Sequence, residues 1–229
     1  IGLAAGVPEV SEWRAMIAEL HRREPHSAAI LYAQVTGGTA PRSHVPAETP
    51  APFFFAYLRV YAFPKPAEIA RGIAAVTFPD PRWQRRDLKT VMLLPAVLAR
   101  KEALAQGAEE AIFVGQDGFV NEGAVSTLFA VHDGTVASPP ADQRILEGVS
   151  TRVIGEVCRQ LGVAFSVRPL PLSDLRTADE IFIASTTVLL MPVVRLDGQT
   201  VGNGAPGAVT LRLADGFQRV FWGQEGPPL

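Results

Sequence analysis

The chain has one cysteine, Cys158, and only three lysines, Lys65, Lys89 and Lys101, against eighteen arginines among its 21 basic residues. One cysteine excludes an internal disulfide. With four scattered histidines it also gives no metal-ligand spacing, so no metal is expected and Cys158 reads as helix packing. Charge is sparse as well: a formal net charge of −2 supplies neither the basic stripe that nucleic acid demands nor a polybasic cluster suited to a lipid surface. The longest apolar runs, such as Val188-Leu189-Leu190-Met191, are far too short to span a membrane and no charged-then-apolar leader is read, which gives the expectation of a soluble cytoplasmic protein. An initiator methionine is missing too, and the opening Ile1-Gly2-Leu3-Ala4-Ala5-Gly6 reads as the middle of something.

What is present suffices for a sizeable core: 229 residues, 48% of them hydrophobic. Apolar positions Val10, Trp13, Ile17 and Leu20 predict an amphipathic helix over 8–23 that covers a sheet. Residues 28–36 and 53–61 read as strands separated by the proline-rich loop 39–52, and long loops in compact domains often carry function. A strand over 73–78 meets the turn Pro79-Asp80-Pro81-Arg82, taken as the boundary between a small domain, 1–80, and a larger one, 81–229. A helix over 93–106 stops at Gly107, and another over 151–161 stops at Gly162. Strands are expected at 111–114, 119–120, 127–131, 135–137, 165–167, 181–184 and 192–196, and a last helix at 206–221. Asp117-Gly118, Asp133-Gly134 and Asp197-Gly198 are short hairpin signals favouring antiparallel pairing. The pattern is α+β, without repeats and without the glycine-rich fingerprint of a dinucleotide-binding domain.

Four places carry chemistry. Lys89 precedes the apolar stretch Thr90-Val91-Met92-Leu93-Leu94, which would partly desolvate its amine, lower its pKa and make it a competent imine-former; a surface lysine is the alternative. Glu122 lies between apolar strands, where a carboxylate needs a partner, and such a group can keep a pyridine nitrogen protonated; a turn-exposed glutamate is the alternative. Gly148-Val149-Ser150 opens a helix whose free N–H groups suit a phosphate, although Ser150 also fits an ordinary N-cap. Ser185-Thr186-Thr187 offers hydroxyls to the same phosphate, or simply ends a strand.

Taken in order, Asp87-Leu88-Lys89-Thr90, Glu122-Gly123, Ile145-Leu146-Glu147-Gly148-Val149-Ser150 and Ser185-Thr186-Thr187 make the stretch 83–193 resemble the fold-type IV, class IV aminotransferases. These enzymes use pyridoxal 5′-phosphate, and the group includes D-amino-acid and branched-chain aminotransferases and aminodeoxychorismate lyases. The resemblance implies a small α/β domain, its first segment lying before Ile1, and a larger domain with a barrel-like antiparallel sheet and helices. It implies that Lys89 forms the Schiff base and shuttles the proton between the substrate α-carbon and cofactor C4′. Glu122 would meet the pyridine nitrogen, and Leu146 would pack on the ring. Gly148, Val149, Ser150 and Thr186 would hold the phosphate, with Ser126, Ser185 and Thr187 close by.

Ala40-Pro41-Arg42-Ser43-His44, after Gln34-Val35-Thr36, resembles the carboxylate trap of D-amino-acid aminotransferases, in which Arg42 and His44 serve the neighbouring subunit of a homodimer. The activity implied is transfer of an amino group from a D-amino acid, D-alanine-like, to a 2-oxo acid such as 2-oxoglutarate. Rival readings are an aminodeoxychorismate lyase, an (R)-selective amine transaminase and a catalytically silent ligand-binding domain. Three positions depart from the pattern: Ala124 and Val125 replace usual serines, and Gly37 stands where an arginine is frequent.

Overall fold

A computed structural model of the chain describes residues 8–45 and 52–223. The opening segment up to Val7, the rest of the proline-rich loop at 46–51 and the tail at 224–229 lie outside the described residues. The chain divides into two units, Ile1–Phe63 and Pro64–Leu229.

In the first unit, helix α1 (Val10–Arg23) starts at Glu9, whose backbone N–H donates to the Glu12 carboxylate over 2.7 Å, so that a reciprocal box closes the first turn. Strands β1 (Ala29–Thr36) and β2 (Phe53–Val60) pair antiparallel without a break, from Ala29↔Val60 to Thr36↔Phe53. Strand period sorts the aromatics onto two faces. Phe54 meets Trp13 of α1 edge-on at 4.9 Å, as the apolar stripe of the helix requires, while Tyr32, Phe53, Phe55 and Tyr57 form a stacked, largely exposed ladder.

The second unit opens with α2 (Pro66–Arg71), a six-residue helix too short to show periodicity, with proline in its first turn. Strand β3 (Ile73–Pro79) follows, and then α3 (Leu94–Ala105), β4 (Glu110–Val114), β5 (Val120–Gly123), β6 (Thr127–His132) and β7 (Thr135–Ser138). Helix α4 (Val149–Leu161), β8 (Phe165–Val167), the short α5 (Leu172–Arg176), β9 (Glu180–Ser185), β10 (Leu189–Leu196), β11 (Gln199–Thr200) and α6 (Ala208–Trp222) complete the chain. One sheet runs β5-β4-β3-β10-β9-β6-β7-β8, with β11 paired to β10.

The sheet is mixed where the turn signals favoured antiparallel pairing. β3 runs parallel to β4 and β10, and β7 runs parallel to β8. The cause is visible in the connections: α3 and α4 carry the chain back across the sheet, and a parallel neighbour needs such a crossover. Two expected hairpins are as read, with Asp133 and Gly134 at φ 48° and 75° and Asp197 and Gly198 at 50° and 76°, the left-handed pair that two-residue turns require. The domain boundary also moves. The turn at 79–82 does not separate domains, because β3 is hydrogen-bonded on both sides inside the large sheet, and the division falls at Phe63/Pro64.

Burial concentrates on the central strands, where Phe129 and Phe182 stack at 4.8 Å, both fully buried. Each such side chain stabilises by about 2–3 kcal/mol. The small residues Ala99 and Ala103 let α3 lie close on Val76, Ala111 and Phe113, which fixes the segment between β3 and α3 over the end of the sheet. Cys158 is buried in α4, as read. Among the described residues no helix is long and apolar enough to cross a membrane.

Candidate active site

A cavity of about 780 Å³ opens in the second unit, lined by the β3–α3 segment, the β5–β6 turn, the approach to α4 and the end of β9. Lys89, Glu122, Ser126, Leu146, Gly148, Val149, Ser150, Ser185 and Thr186 all line it; Thr187 does not. Four separate stretches of sequence therefore converge on one space.

Lys89 follows a tight turn in which Leu88 N–H donates to Arg85 O over 3.2 Å. Of the three lysines it alone borders the cavity. The expected desolvation is not there: residues 91–94 are themselves exposed instead of wrapping the amine, and Lys89 is exposed. The apolar run faces outward because α3 turns its alanines, not its leucines, to the sheet.

Glu122 is buried on β5, not exposed on a turn, and its partner is Arg82, whose Nη1 donates over 2.6 Å. Arg82 also donates through Nε and Nη2 to Asp80 at 2.9 and 2.8 Å, and lies 4.3 Å over the Phe113 ring. Asn121 Nδ2 donates to Asp80 over 2.9 Å, and Arg86 Nε stands 3.3 Å from the same carboxylate without hydrogen-bond geometry. Two buried acids and two arginines thus cancel in charge, as a low-dielectric site requires. Burial pushes the Glu122 carboxyl above its ordinary range, and Arg82 pulls it back only in part. For Asp80 burial acts the same way, but Arg82 and Asn121 outweigh it and hold the group below its usual value.

Gly148, not Ser150, is the N-cap of α4, and no side chain caps that end. Ser150 lies inside the first turn, so the ordinary capping explanation for it fails. Thr151 N–H donates to Gly148 O over 3.1 Å, which leaves the amides of Val149 and Ser150 to an external acceptor, the arrangement that suits an anion. A Cβ at Gly148 would come 2.8 Å from Thr127 Oγ1, so glycine lets the loop close on β6. Across the cavity, Ser185 Oγ accepts from Thr187 N–H and Val188 N–H at 3.3 and 3.2 Å and pairs with Thr187 Oγ1 at 3.1 Å. Those two hydroxyls close the β9–β10 turn, and Thr186 is the member of the trio left exposed at the cavity.

Ser126 lines the cavity and is also tied behind it. Its hydroxyl donates over 2.9 Å to Glu110, a fully buried acid at the start of β4. Arg42 and His44 belong to the first unit, both exposed on the loop after β1. The reading missed Arg82, Asp80 and Glu110. Asp80 and Arg82 had a usable signal, an acid and a base two residues apart ahead of Lys89, which was spent on a supposed boundary.

The class IV aminotransferase family model matches residues 7–196. The chain belongs to the class IV aminotransferases. Within them it is 36% identical over 190 residues to D-alanine aminotransferase of Staphylococcus epidermidis, covering 82% of this chain and 67% of that one. It is 32% identical over 220 residues to the Staphylococcus aureus (strain MSSA476) enzyme of the same name, covering 96% and 76%. The solved branched-chain amino acid aminotransferase of Escherichia coli superposes with a TM-score of 0.80 at 24% identity, over 93% of this chain and 71% of that one, which establishes the fold-type IV architecture. Class IV aminotransferases use pyridoxal 5′-phosphate, and the donor set fits that group: an amine, a buried carboxylate beside a permanent cation, and an uncapped helix end near a threonine hydroxyl.

Proposed function

We propose that this class IV aminotransferase is a homodimer that moves the amino group of a D-amino acid, D-alanine or one like it, to a 2-oxo acid such as 2-oxoglutarate. The observation that carries the reading is the convergence of Lys89 and the Glu122–Arg82–Asp80 chain on one cavity. The D-amino-acid preference is supported by the D-alanine aminotransferase relatives and by Arg42 and His44, whose paired donors suit an α-carboxylate. Self-association is supported by the exposed apolar side chains of Val91, Val97 and Leu98 beside the cavity.

When bound, pyridoxal phosphate supplies a carbonyl carbon for the amino group and an electron sink. This chain's residues do the rest. Lys89 Nζ would hold the cofactor and, once released, move the proton at the substrate α-carbon. Glu122 would hold the pyridine nitrogen protonated, for which Glu122 itself must be ionised. Arg82 serves that need, offsetting the burial that favours the neutral acid. Val149 and Ser150, at the α4 end shaped by Gly148, would hold the phosphate with Thr186 and Leu146 would pack on the ring, while Ser185 and Thr187 keep the β9–β10 turn in shape.

The test is the visible spectrum of the cofactor-loaded protein on adding D-alanine, with L-alanine and L-leucine as controls. Loss of the cofactor band with D-alanine alone, and its return with 2-oxoglutarate, supports the reading. Loss with L-leucine would turn it into a branched-chain transaminase. A band indifferent to all three would favour the lyase or amine readings.

A further inference from the structure

Glu110 is a carboxylate 1% exposed at the first position of β4, and the chemistry above leaves it unused. Burying such a group costs several kcal/mol unless it is hydrogen-bonded, so its partners are informative. Ser126 Oγ donates to Oε2 over 2.9 Å and Ala111 N–H to Oε1 over 3.0 Å. Both partners belong to the frame around one turn. Ser126 ends the β5–β6 connection, where Gly123 N–H donates to Ser126 O over 2.8 Å, and Ala124 N–H donates to Ala111 O over 2.8 Å. The packing is tight: a Cβ at Gly123 would stand 2.1 Å from Ser126 Oγ and 3.4 Å from Glu110 Cδ. Glu122 is the residue immediately before Gly123. Its backbone is thus set on one side by this turn, just as its carboxylate is set on the other by Arg82.

We infer that Glu110 is a positioning residue which, through Ser126 and Gly123, fixes the Glu122 carboxylate where it meets the pyridine nitrogen, an inference that rests on the cofactor role proposed for Glu122. The Ser126 hydroxyl spends its proton on this brace, so the position acts on Glu122 through the turn. A carboxylate suits the task better than an apolar side chain because one oxygen takes the Ser126 hydroxyl from the β5–β6 turn while the other takes the amide of Ala111 on β4. Burial pushes the Glu110 carboxyl above its ordinary range, and the Ser126 hydroxyl, the Ala111 amide and the charge of Arg100 pull it back only in part.

The experiment compares the cofactor-loaded wild type with E110Q, S126A and, as reference, E122Q. Four things are read: borohydride labelling of Lys89, the pH midpoint of the bound cofactor's visible band, kcat and KM for D-alanine, and the melting temperature. Full labelling of Lys89, a band midpoint displaced in the same direction as in E122Q, and kcat lowered about 10-fold with KM held within about 2-fold are expected for both E110Q and S126A. A wild-type midpoint and kcat in both, even with a lowered melting temperature, would reduce Glu110 to a core residue and overturn the inference. Should E110Q fail to fold, S126A, which removes a single oxygen, decides the question alone. A wild type that takes no label at Lys89 would instead overturn the cofactor reading itself, and the inference with it.

Discussion

Arg82 Nη1 donates to Glu122 across 2.6 Å while its Nε and Nη2 hold Asp80, so one guanidinium bridges the cavity-lining Glu122 and a second buried acid. Removing it leaves Glu122 without its cation and Asp80 with only Asn121 and the nearby Arg86. Replacement by methionine, which keeps the stem, should lower unfolding free energy by about 3–5 kcal/mol, the usual consequence of an uncompensated buried charge. Urea denaturation of R82M and of R82M/E122Q checks this. The double variant should recover part of the loss, because it neutralises one of the two acids. Equal stability of R82M and wild type would show that Arg82 carries no such burden.

The same network gives stability a pH dependence of two signs. Glu122 is pushed above its ordinary 4.5 by burial, with Arg82 opposing. An acid that binds its proton more tightly when folded contributes stability below 4.5 that is lost as pH rises through the raised value. Asp80 is the reverse case: burial is outweighed by Arg82 and Asn121, so its contribution is present above 3.8 and lost as pH falls through the depressed value. Urea midpoints of the apoprotein should therefore show wild type losing ground to E122Q as pH rises from about 4.5 to 7.5. D80N should remove an acid-side loss that wild type keeps. A constant difference between wild type and E122Q would mean that Glu122 does not titrate in this window.

How far the sequence announced this site differs from residue to residue, and for physical reasons. Gly162 at the end of α4 and the Asp-Gly turns at 133–134 and 197–198 were legible because left-handed backbone is a local demand that few residues meet. The helix starts were less so: α4 begins at Val149, two residues before the expected start, since its cap is a glycine without a side-chain bond to advertise it. The parallel pairing of β3 with β10 links residues more than a hundred positions apart and leaves no local trace. Lys89, Glu122 and Gly148 were readable as residue types in order, but the Glu122–Arg82 pair spans 40 positions and Glu110–Ser126 spans 16, and a single sequence does not display partners at such range. The outward turn of residues 91–94 was misread because an apolar run says that a surface is covered, not by what.

Because only three lysines exist, attachment of the cofactor can be mapped without ambiguity. Borohydride reduction in the presence of pyridoxal phosphate should label Lys89 and spare Lys65, the N-cap of α2, and Lys101, on α3. K89A should take no label and lose turnover while unfolding like wild type, since Lys89 is exposed and makes no ion pair among the described residues. Peptide mapping of the reduced protein decides it. Label at Lys65 or Lys101 alone would remove Lys89 from the mechanism.

Arg42 separates the substrate question from the cofactor question. It lies in the first unit on an exposed loop, so its replacement by alanine should leave the fold and the Lys89 label unchanged. What it should cost is recognition of the carboxylate: a charged hydrogen-bond donor is worth roughly 1.5–3 kcal/mol, or about 10- to 150-fold in kcat/KM for D-alanine. The loss should fall mainly on KM if Arg42 grips ground state and transition state alike. An amine without a carboxyl group should be used no worse by R42A than by wild type, because it never engages that donor. Unchanged turnover of D-alanine by R42A would sink the carboxylate trap and bring the amine transaminase reading forward, with Lys89 and Glu122 untouched.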